Sequence, residues 1–470
     1  MKKELILNRI QKTVGVTLVI SYILAAYAII RTQILPGKFL AIIIPVTALV
    51  VAFLVFTHFK KHLSAPKSIA LNVTSLLLAA LALFTFSYSS ATSAFLDKIE
   101  ASGYYTEEYS IIAKKGRNIN LATDNKNTAL LATDTNSDLV KTEVTKKSKA
   151  TNYKNYAELT TLTNALSTKD TDTAALKSSY VQLLEENNND FYQTIEVLAT
   201  FTIKVELDST DAMIDTTKPF VVYISGIDTY GAVSTVSRSD VNILAVINPR
   251  THQILLVNTP RDYYVQLHDT SGVKDKLTHA GIYGVNMSVS TLEDLYGVHI
   301  DYYMRVNFAS LTNIVDTLGG VDVYSDYNFK ADGYTFNAGF NQLDGKAALA
   351  FSRERHSFED GDRTRGKNQQ RVIDGIIKKL SSPSTLLNYQ NILKSLDGTF
   401  QTNASSNEIS NLIKQQMDDM RKWQTESVSV DGTGASAPTY SMGAQKLYVM
   451  IPDQSSLDIA KQKIQLYHAD

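Results

Sequence analysis

The chain contains no cysteine. That excludes a disulfide scaffold, a thiolate metal site and a cysteine nucleophile. It also lacks an excess of either charge, with 46 Lys+Arg against 47 Asp+Glu over 470 residues. A dedicated nucleic-acid binder carries a large basic excess, so near-neutrality argues against DNA as a partner. Proline is missing between Pro66 and Pro219, and Gly116 is the only glycine between Gly103 and Gly226. At roughly 100–200 residues per domain, the length allows two or three domains. The averages hide segregation: residues 1–96 are strongly apolar, the following stretch to about 215 is polar, and the remainder has ordinary globular composition.

Three runs carry no charge: Thr13–Ile30, Phe39–Thr57 and Ser68–Leu96. Each reaches the ~20 residues a bilayer-spanning helix needs. Buried core helices keep a polar face, and these do not. A cleaved signal peptide would lack two further spans behind it. Pro45 inside the second run is tolerable in a membrane helix. Positive charge gathers at Lys2, Lys3, Arg9 and Lys12, and again at Lys60, Lys61 and Lys67, while Glu100, Glu107 and Glu108 follow the third run. The positive-inside rule then puts the N-terminus and second loop in the cytoplasm and everything after about residue 97 outside. The expected localisation is a multi-pass cell-membrane protein with an extracellular body. Absence of cysteine suits export without disulfide chemistry.

Residues 1–97 are thus read as a tail and three transmembrane helices, 98–211 as a small α+β accessory domain, and 212–470 as the main α/β domain with its core at 215–380. In the accessory part, Tyr109–Ala113 and Thr200–Leu207 read as strands. Tyr156–Leu166 and Thr173–Leu184 read as helices; in the latter, Ala175, Leu176, Tyr180, Leu183 and Leu184 fall close to helical spacing. In the main part, Phe220–Ser225, Val241–Ile247 and Gln253–Val257 are short, β-branched runs of the kind buried on both faces. Helical patterns at Val289–Tyr296, Phe308–Leu318, Gly345–Phe351 and Asn368–Leu380 alternate with strands, the signature of an α/β domain. Helices at Thr385–Leu396 and Ser406–Met417, a loop at Gly432–Pro438, a strand at Lys446–Ile451 and a helix at Ser456–His468 complete the reading.

Arginine is unevenly placed. Of 13 in the chain, 10 lie from Arg238 onward, and Arg353, Arg355, Arg363, Arg365 and Arg371 share one short window. Local choice of arginine over lysine favours forked, planar recognition of an oxyanion such as phosphate. The simplest alternative is a solvated helix face balanced by Glu354, Glu359, Asp360 and Asp362; the arginine bias and the breaks at Gly361 and Gly366 weigh against it. Arg353 and Arg355, two apart, would face one side of an extended segment. Ser237-Arg238-Ser239-Asp240 enters one strand, and Thr259-Pro260-Arg261-Asp262 leaves another, where open α/β sheets bind ligands. Asp228 and Asp240 are hard oxygen donors suited to Mg²⁺, which takes one or two carboxylates plus substrate phosphates. Taken singly, each Asp is as well explained as a turn or cap residue. The histidines show no metal-ligand spacing. There is no P-loop glycine pattern and no Ser-His-Asp arrangement.

The ordered series Ser237-Arg238-Ser239-Asp240, Thr259-Pro260-Arg261-Asp262, Lys276-Leu277-Thr278-His279-Ala280, Leu318-Gly319-Gly320-Val321 and Arg353-Glu354-Arg355…Gly361-Asp362…Arg365…Gln369-Gln370 resembles the LytR-CpsA-Psr family. The three spans and the extra polar domain resemble its capsule branch, the CpsA type. The likeness is close over about 215–380 and weaker beyond. One departure is Asn368, where many members carry Arg.

The resemblance implies an α-β-α layered catalytic domain that binds a polyprenyl pyrophosphate, with a pocket for its tail. It implies a phosphotransferase moving capsular polysaccharide from undecaprenyl pyrophosphate to peptidoglycan on the outer face of a Gram-positive cell. Carried over, Asp228 and Asp240 would hold Mg²⁺ or Mn²⁺. Arg238, Arg261, Arg353, Arg355 and Arg365 would grip the pyrophosphate, with Lys276 and Gln369 assisting, and Asp362 would orient the arginines. The acceptor hydroxyl needs a proton acceptor; Asp240, Asp362, Glu354 and His356 stay open. Two alternatives stand beside this. One is a transcriptional regulator, although the tail before residue 13 is too short for a helix-turn-helix. The other is a scaffold or chain-length modulator that meets other capsule-assembly proteins through 98–211.

Overall fold

A computed structural model describes the chain apart from residues 1, 61–62, 101–103, 207–213, 228–232, 234–235, 384, 386–391, 393–394, 396–397 and 470. Most of the expected helix Thr385–Leu396 lies outside the described residues. The chain divides into two compact units. Residues 102–379, 398–403 and 423–470 form one; 1–101, 380–397 and 404–422 form the other.

The larger unit holds two main sheets. The first is five-stranded, in the order β3-β2-β4-β1-β5, with β1 at Tyr104–Lys114, β2 at Asn127–Leu131, β3 at Asn152–Tyr156, β4 at Thr173–Lys177 and β5 at Ile195–Glu206. β3, β2 and β4 run parallel, and β1 is antiparallel to both β4 and β5. Two helical expectations fail here. Thr173–Lys177 is a strand, and the helix begins only at Ser178 and runs to Asn187. Tyr156 ends a strand, and the following helix is Leu159–Thr168. A short apolar run such as Thr173–Leu176 fits either period; burial on both faces made it a strand. One face of the sheet packs Leu162, Leu166, Tyr180 and Leu184 with Ile282, Met442 and Leu447. The other packs Tyr109, Ile111, Phe201 and Ile203 on Val140 and Val144 of the helix Ser137–Lys147.

The second sheet is six-stranded, in the order β10-β9-β6-β7-β8-β11. Its strands are β6 at Phe220–Ile227, β7 at Ser239–Asn248, β8 at Gln253–Asn258, β9 at Tyr302–Val306, β10 at Phe400–Thr402 and β11 at Gln424–Ser429. β6, β7 and β8 form an antiparallel meander, while β9 is parallel to β6 and β11 to β8. Hence β6, β8, β9 and β11 all point their carboxyl ends to one edge, where β7 starts. Both faces are covered, which is why the central stretches of β6, β7 and β8 are apolar on both sides. Tyr223, Leu244, Val246, Leu255 and Val257 pack on Leu292, Leu457, Ala460 and Ile464 of the helices Val285–Tyr296 and Gln454–His468. Ile243, Ala245, Ile254 and Leu256 pack on Ile373 and Ile377 of the helix Gly361–Leu380, and on Trp423. Each such Leu, Ile or Val contributes about 1.5–3 kcal/mol by leaving water.

The segment expected as a loop, Gly432–Pro438, is part of β12 (Gly432–Thr439), which pairs antiparallel with β13 (Gly443–Pro452). Its Gly, Ser, Thr and Pro content reads as turn chemistry, but the ladder with β13 satisfies its backbone and overrides that signal.

In the smaller unit, Lys2–Thr32, Gly37–Phe59 and Ala65–Glu100 are helices. Each contains a stretch long and apolar enough to cross a membrane. Pro45 sits inside the second without ending it. A buried polar seam joins them: His58 Nε2 meets Ser75 Oγ at 2.8 Å, and Ser68 donates to Gln11 at 3.3 Å. The helix Ser406–Asp419 belongs to this unit; Ser405 and Glu408 form its capping box, and Asp418 pairs with Lys38 at 2.9 Å.

Candidate functional site

The carboxyl edge of the six-stranded sheet collects the charged residues. Asp240 opens β7, and Arg261 follows β8 after the Thr259-Pro260 turn, so adjacent antiparallel strands bring them together. Arg261 Nη1 donates to Asp240 Oδ2 at 2.7 Å. Thr278 Oγ1 donates to Asp240 Oδ1 at 3.0 Å, and the Thr278 amide donates to the Arg261 carbonyl at 2.9 Å. Lys276 Nζ lies 2.9 Å from Asp262 Oδ1, and Arg261 Nε lies 3.8 Å from Asp262 Oδ2. The sequence reading missed Asp262 and Thr278, although both lie inside the motifs it quoted.

The helix Gly361–Leu380 brings the second half. A side chain at Gly366 would collide with the Asn258 amide at the end of β8, so glycine there lets the helix start against the sheet edge. Arg365 Nη2 reaches Asp362 Oδ2 at 3.1 Å, and Arg355 Nη1 stands 4.0 Å from Asp362 Oδ1. Burial opposes the charge on Arg261, but Asp240, Asp262, Asp362 and Glu186 outweigh it and raise its pKa. For Arg365, burial dominates and lowers the pKa; Asp362 counters, while Arg261 and Arg355 add repulsion. Arginine keeps its proton throughout. An anion placed at this edge would relieve the repulsion further.

The remaining sequence candidates take other places. Arg353 ends the helix Gly345–Arg353 rather than lying in an extended run, and its guanidinium stacks over Phe308 at 4.4 Å. Gln369 reaches the Ser352 carbonyl at 3.4 Å. Arg238 is buried and forks onto Glu186, with Nη2 2.6 Å from Oε1. Of the other window arginines, Arg363 pairs with Asp431 at 2.6 Å and Arg371 with Asp326. Asn368 is buried against the Phe351 carbonyl and holds Arg371 at 3.2 Å. Gln370 bridges the Leu256 and Val428 carbonyls of β8 and β11 at 2.9 and 2.8 Å. Glu354 caps the Ser357 amide at 2.7 Å. Asp228 lies outside the described residues.

Among the described residues no group of three or more acidic or histidine side chains is arranged to hold a metal. Asp240 and Asp262 are hard oxygen donors of the kind Mg²⁺ takes, and here each is engaged by a cationic side chain, Arg261 or Lys276.

The carboxyl edge of this mixed α/β sheet thus gathers arginines and carboxylates, an arrangement chemically suited to a phosphorylated ligand. A model of the LytR_cpsA_psr family matches residues 175–464, and the chain belongs to that family. A polyisoprenyl-teichoic acid–peptidoglycan teichoic acid transferase, TagU, from Enterococcus faecalis is 37% identical over 195 residues, 41% of this chain and 64% of that protein. The Bacillus anthracis TagU is 32% identical over 246 residues, 52% of this chain and 78% of the relative. The crystal structure of B. subtilis TagU aligns over 54% of this chain and 98% of its own, at 30% identity and a TM-score of 0.43.

Proposed function

We propose that this protein is a membrane-anchored transferase that moves a glycopolymer from a polyisoprenyl pyrophosphate carrier to peptidoglycan, and that its glycopolymer is capsular polysaccharide. The observation that carries the reading is that the groups Arg261–Asp240–Thr278 and Arg355–Asp362–Arg365 lie near enough to act on one another electrostatically. The names of the relatives support a cell-wall glycopolymer as cargo. The extra polar region and three spans support the capsule branch.

In the proposed reaction, a peptidoglycan hydroxyl oxygen attacks the phosphorus that bears the glycan. The P–O bond to the polyprenyl phosphate breaks, and that phosphate leaves with the electron pair. The hydroxyl proton passes to a carboxylate; Asp240 and Asp362 face the arginines, whereas Glu354 is committed to a turn. Arg261, Arg355 and Arg365 hold the non-bridging oxygens and the charge developing on the leaving phosphate. Positioning and charge stabilisation are most of what phosphoryl transfer needs. Asp240 would hold Mg²⁺, which would supply further charge neutralisation; Asp228, the second carboxylate that the resemblance implies, lies outside the described residues. Lys276 keeps Asp262 turned toward Arg261. The three spans keep the chain at the membrane where a polyprenyl lipid resides, with the charge bias orienting the larger unit outward.

The test is Arg261→Ala and Asp240→Ala in cells lacking a redundant homologue. Polymer should appear in the medium while membrane insertion is intact. Unchanged wall attachment in both variants overturns the assignment.

A further inference from the structure

Like Arg261 and Arg365, Arg238 already holds a carboxylate, but its partner comes from a helix outside the six-stranded sheet. Its fork binds both carboxylate oxygens of Glu186. Glu186 comes from the last turn of the helix Ser178–Asn187, which belongs to the five-stranded sheet, not to the sheet that carries the site. A carboxylate in a last helical turn sits at the negative end of the helix dipole, where it is disfavoured. Its presence there breaks a local rule, and Arg238 supplies the compensation.

The two partners are unequally held. The Arg238 side chain is 8% exposed and that of Glu186 is 44% exposed. The Arg238 backbone is pinned as well: a side chain on Gly281 would come within 2.5 Å of the Ser237 carbonyl and 2.8 Å of the Ser239 amide. Arg238 Nε is buried and has no hydrogen-bond partner among the described residues. Arg238 therefore stays in place with a donor still to satisfy, whereas Glu186 can swing into water. Glu186 also acts electrostatically on Arg261, so it stands beside the main cluster.

We propose that Glu186 is an internal anion that occupies Arg238 until the second phosphoryl group of a pyrophosphate displaces it. This rests on the pyrophosphate reading above. One phosphoryl is held by Arg261, Arg355 and Arg365 without disturbing Glu186; a second reaches Arg238 and takes its place. Glu186 is then a specificity-determining residue. It makes the site respond to the length of the phosphate chain, and by returning to Arg238 it helps the monophosphate product to leave.

The experiment titrates the full chain in detergent micelles with inorganic pyrophosphate and, separately, with inorganic phosphate, by calorimetry at fixed salt. Glu186→Gln should bind pyrophosphate about threefold to tenfold tighter than wild type, and phosphate less than twofold tighter. Glu186→Asp, which keeps the charge but shortens the fork, should lie between and carries the test if Glu186→Gln loses thermal stability. Pyrophosphate binding that is unchanged or weaker in the variants, while wild-type binding is sensitive to Arg261→Ala, overturns this inference alone. Absence of pyrophosphate binding in wild type overturns it together with the functional reading. An equal gain for both anions also overturns it, since Glu186 would then be a general electrostatic brake.

Discussion

At the carboxyl ends of β2 and β4, the five-stranded sheet closes over a polar cluster that satisfies itself. Lys177 pairs with Glu107 at 2.6 Å, both nearly inaccessible, and Asn136 donates to the same carboxylate at 2.9 Å. The Tyr109 hydroxyl lies 2.9 Å from Glu107 and 2.8 Å from Asp134; burial first, then both carboxylates, push its pKa far up. At the carboxyl edge of the six-stranded sheet, the cations are set against one another as well as against carboxylates, and Arg365 has its pKa lowered. The same edge of two α/β sheets thus ends as a closed knot in one and as a cluster of neighbouring guanidiniums in the other. The difference lies in charge sign and in how rigidly each group is tied. Lys177 is spent on Glu107, with Asp134 close by, so the knot leaves no positive charge for an anion to neutralise, whereas neighbouring guanidiniums do.

Breaking the knot should cost stability before activity. Lys177→Met leaves Glu107 as an uncompensated buried charge, and the expected loss is about 3–5 kcal/mol. Thermal unfolding of the full chain measures it. The double variant Glu107→Gln/Lys177→Met should recover much of the loss, because no buried charge is stranded. Equal losses in single and double variants would break the comparison.

Removing an arginine from the open site should do the reverse. Arg261→Ala should lower transfer by about 10²–10³-fold, equivalent to ~2.7–4 kcal/mol of transition-state stabilisation. Its melting temperature should change little, since Asp240 keeps Thr278 and partial access to water. A purified transfer assay with unfolding run in parallel separates the two effects.

Gly366→Ala probes the seat of the Arg365 helix. The added methyl must push aside the Asn258 amide, and overpacking of this kind costs about 1–3 kcal/mol. The expected signature is a fall in transfer larger than the fall in thermal stability, because the shift moves Arg365 relative to Arg261.

The smallest effect is expected at the exposed rim of the five-stranded sheet. Lys154 and Tyr156 hydrogen-bond Asp170 and depress its pKa. A depressed carboxylate contributes stability above its unfolded pKa and loses it as pH falls through the folded value. Asp170→Asn should therefore lower stability slightly at neutral pH and flatten the acid limb below about pH 4, the ordinary Asp value being ~3.9. A large change at pH 7 would show that this rim is tied to the knot.

Much of this was readable in the chain because it depends on local pattern. The uncharged runs gave three long apolar helices, since burying a polar backbone in lipid demands uninterrupted helix. The β-branched runs at 220–257 gave strands, and the structure pairs Arg261 with Asp240 and sets Arg355 and Arg365 at Asp362. Other assignments failed where local pattern is ambiguous. Thr173–Lys177 carries an apolar run too short to show a period, and Gly432–Thr439 looks like turn chemistry until β13 pairs with it. Arg363 and Arg371 carry the same arginine signal as Arg365 but are spent on Asp431 and Asp326. Nothing in the spacing separates them, because which face of the helix meets the sheet edge is a packing outcome.

By itself, the sequence determined the chemistry available: no thiol, no basic excess, three helices long and apolar enough to cross a membrane, and arginine gathered where strands end. Tertiary structure decided which arginines share a site and which carboxylate each one meets. Glu186 shows the reason. It lies some fifty residues from Arg238 in the chain, on a helix of another sheet, and no periodicity links them. Their pairing exists only because Tyr180, Leu183 and Leu184 on the same helix are buried in a shared core with Ile282 and Met442. Hydrophobic burial is non-directional, so it brings charged groups together without leaving a mark in the local pattern of either segment.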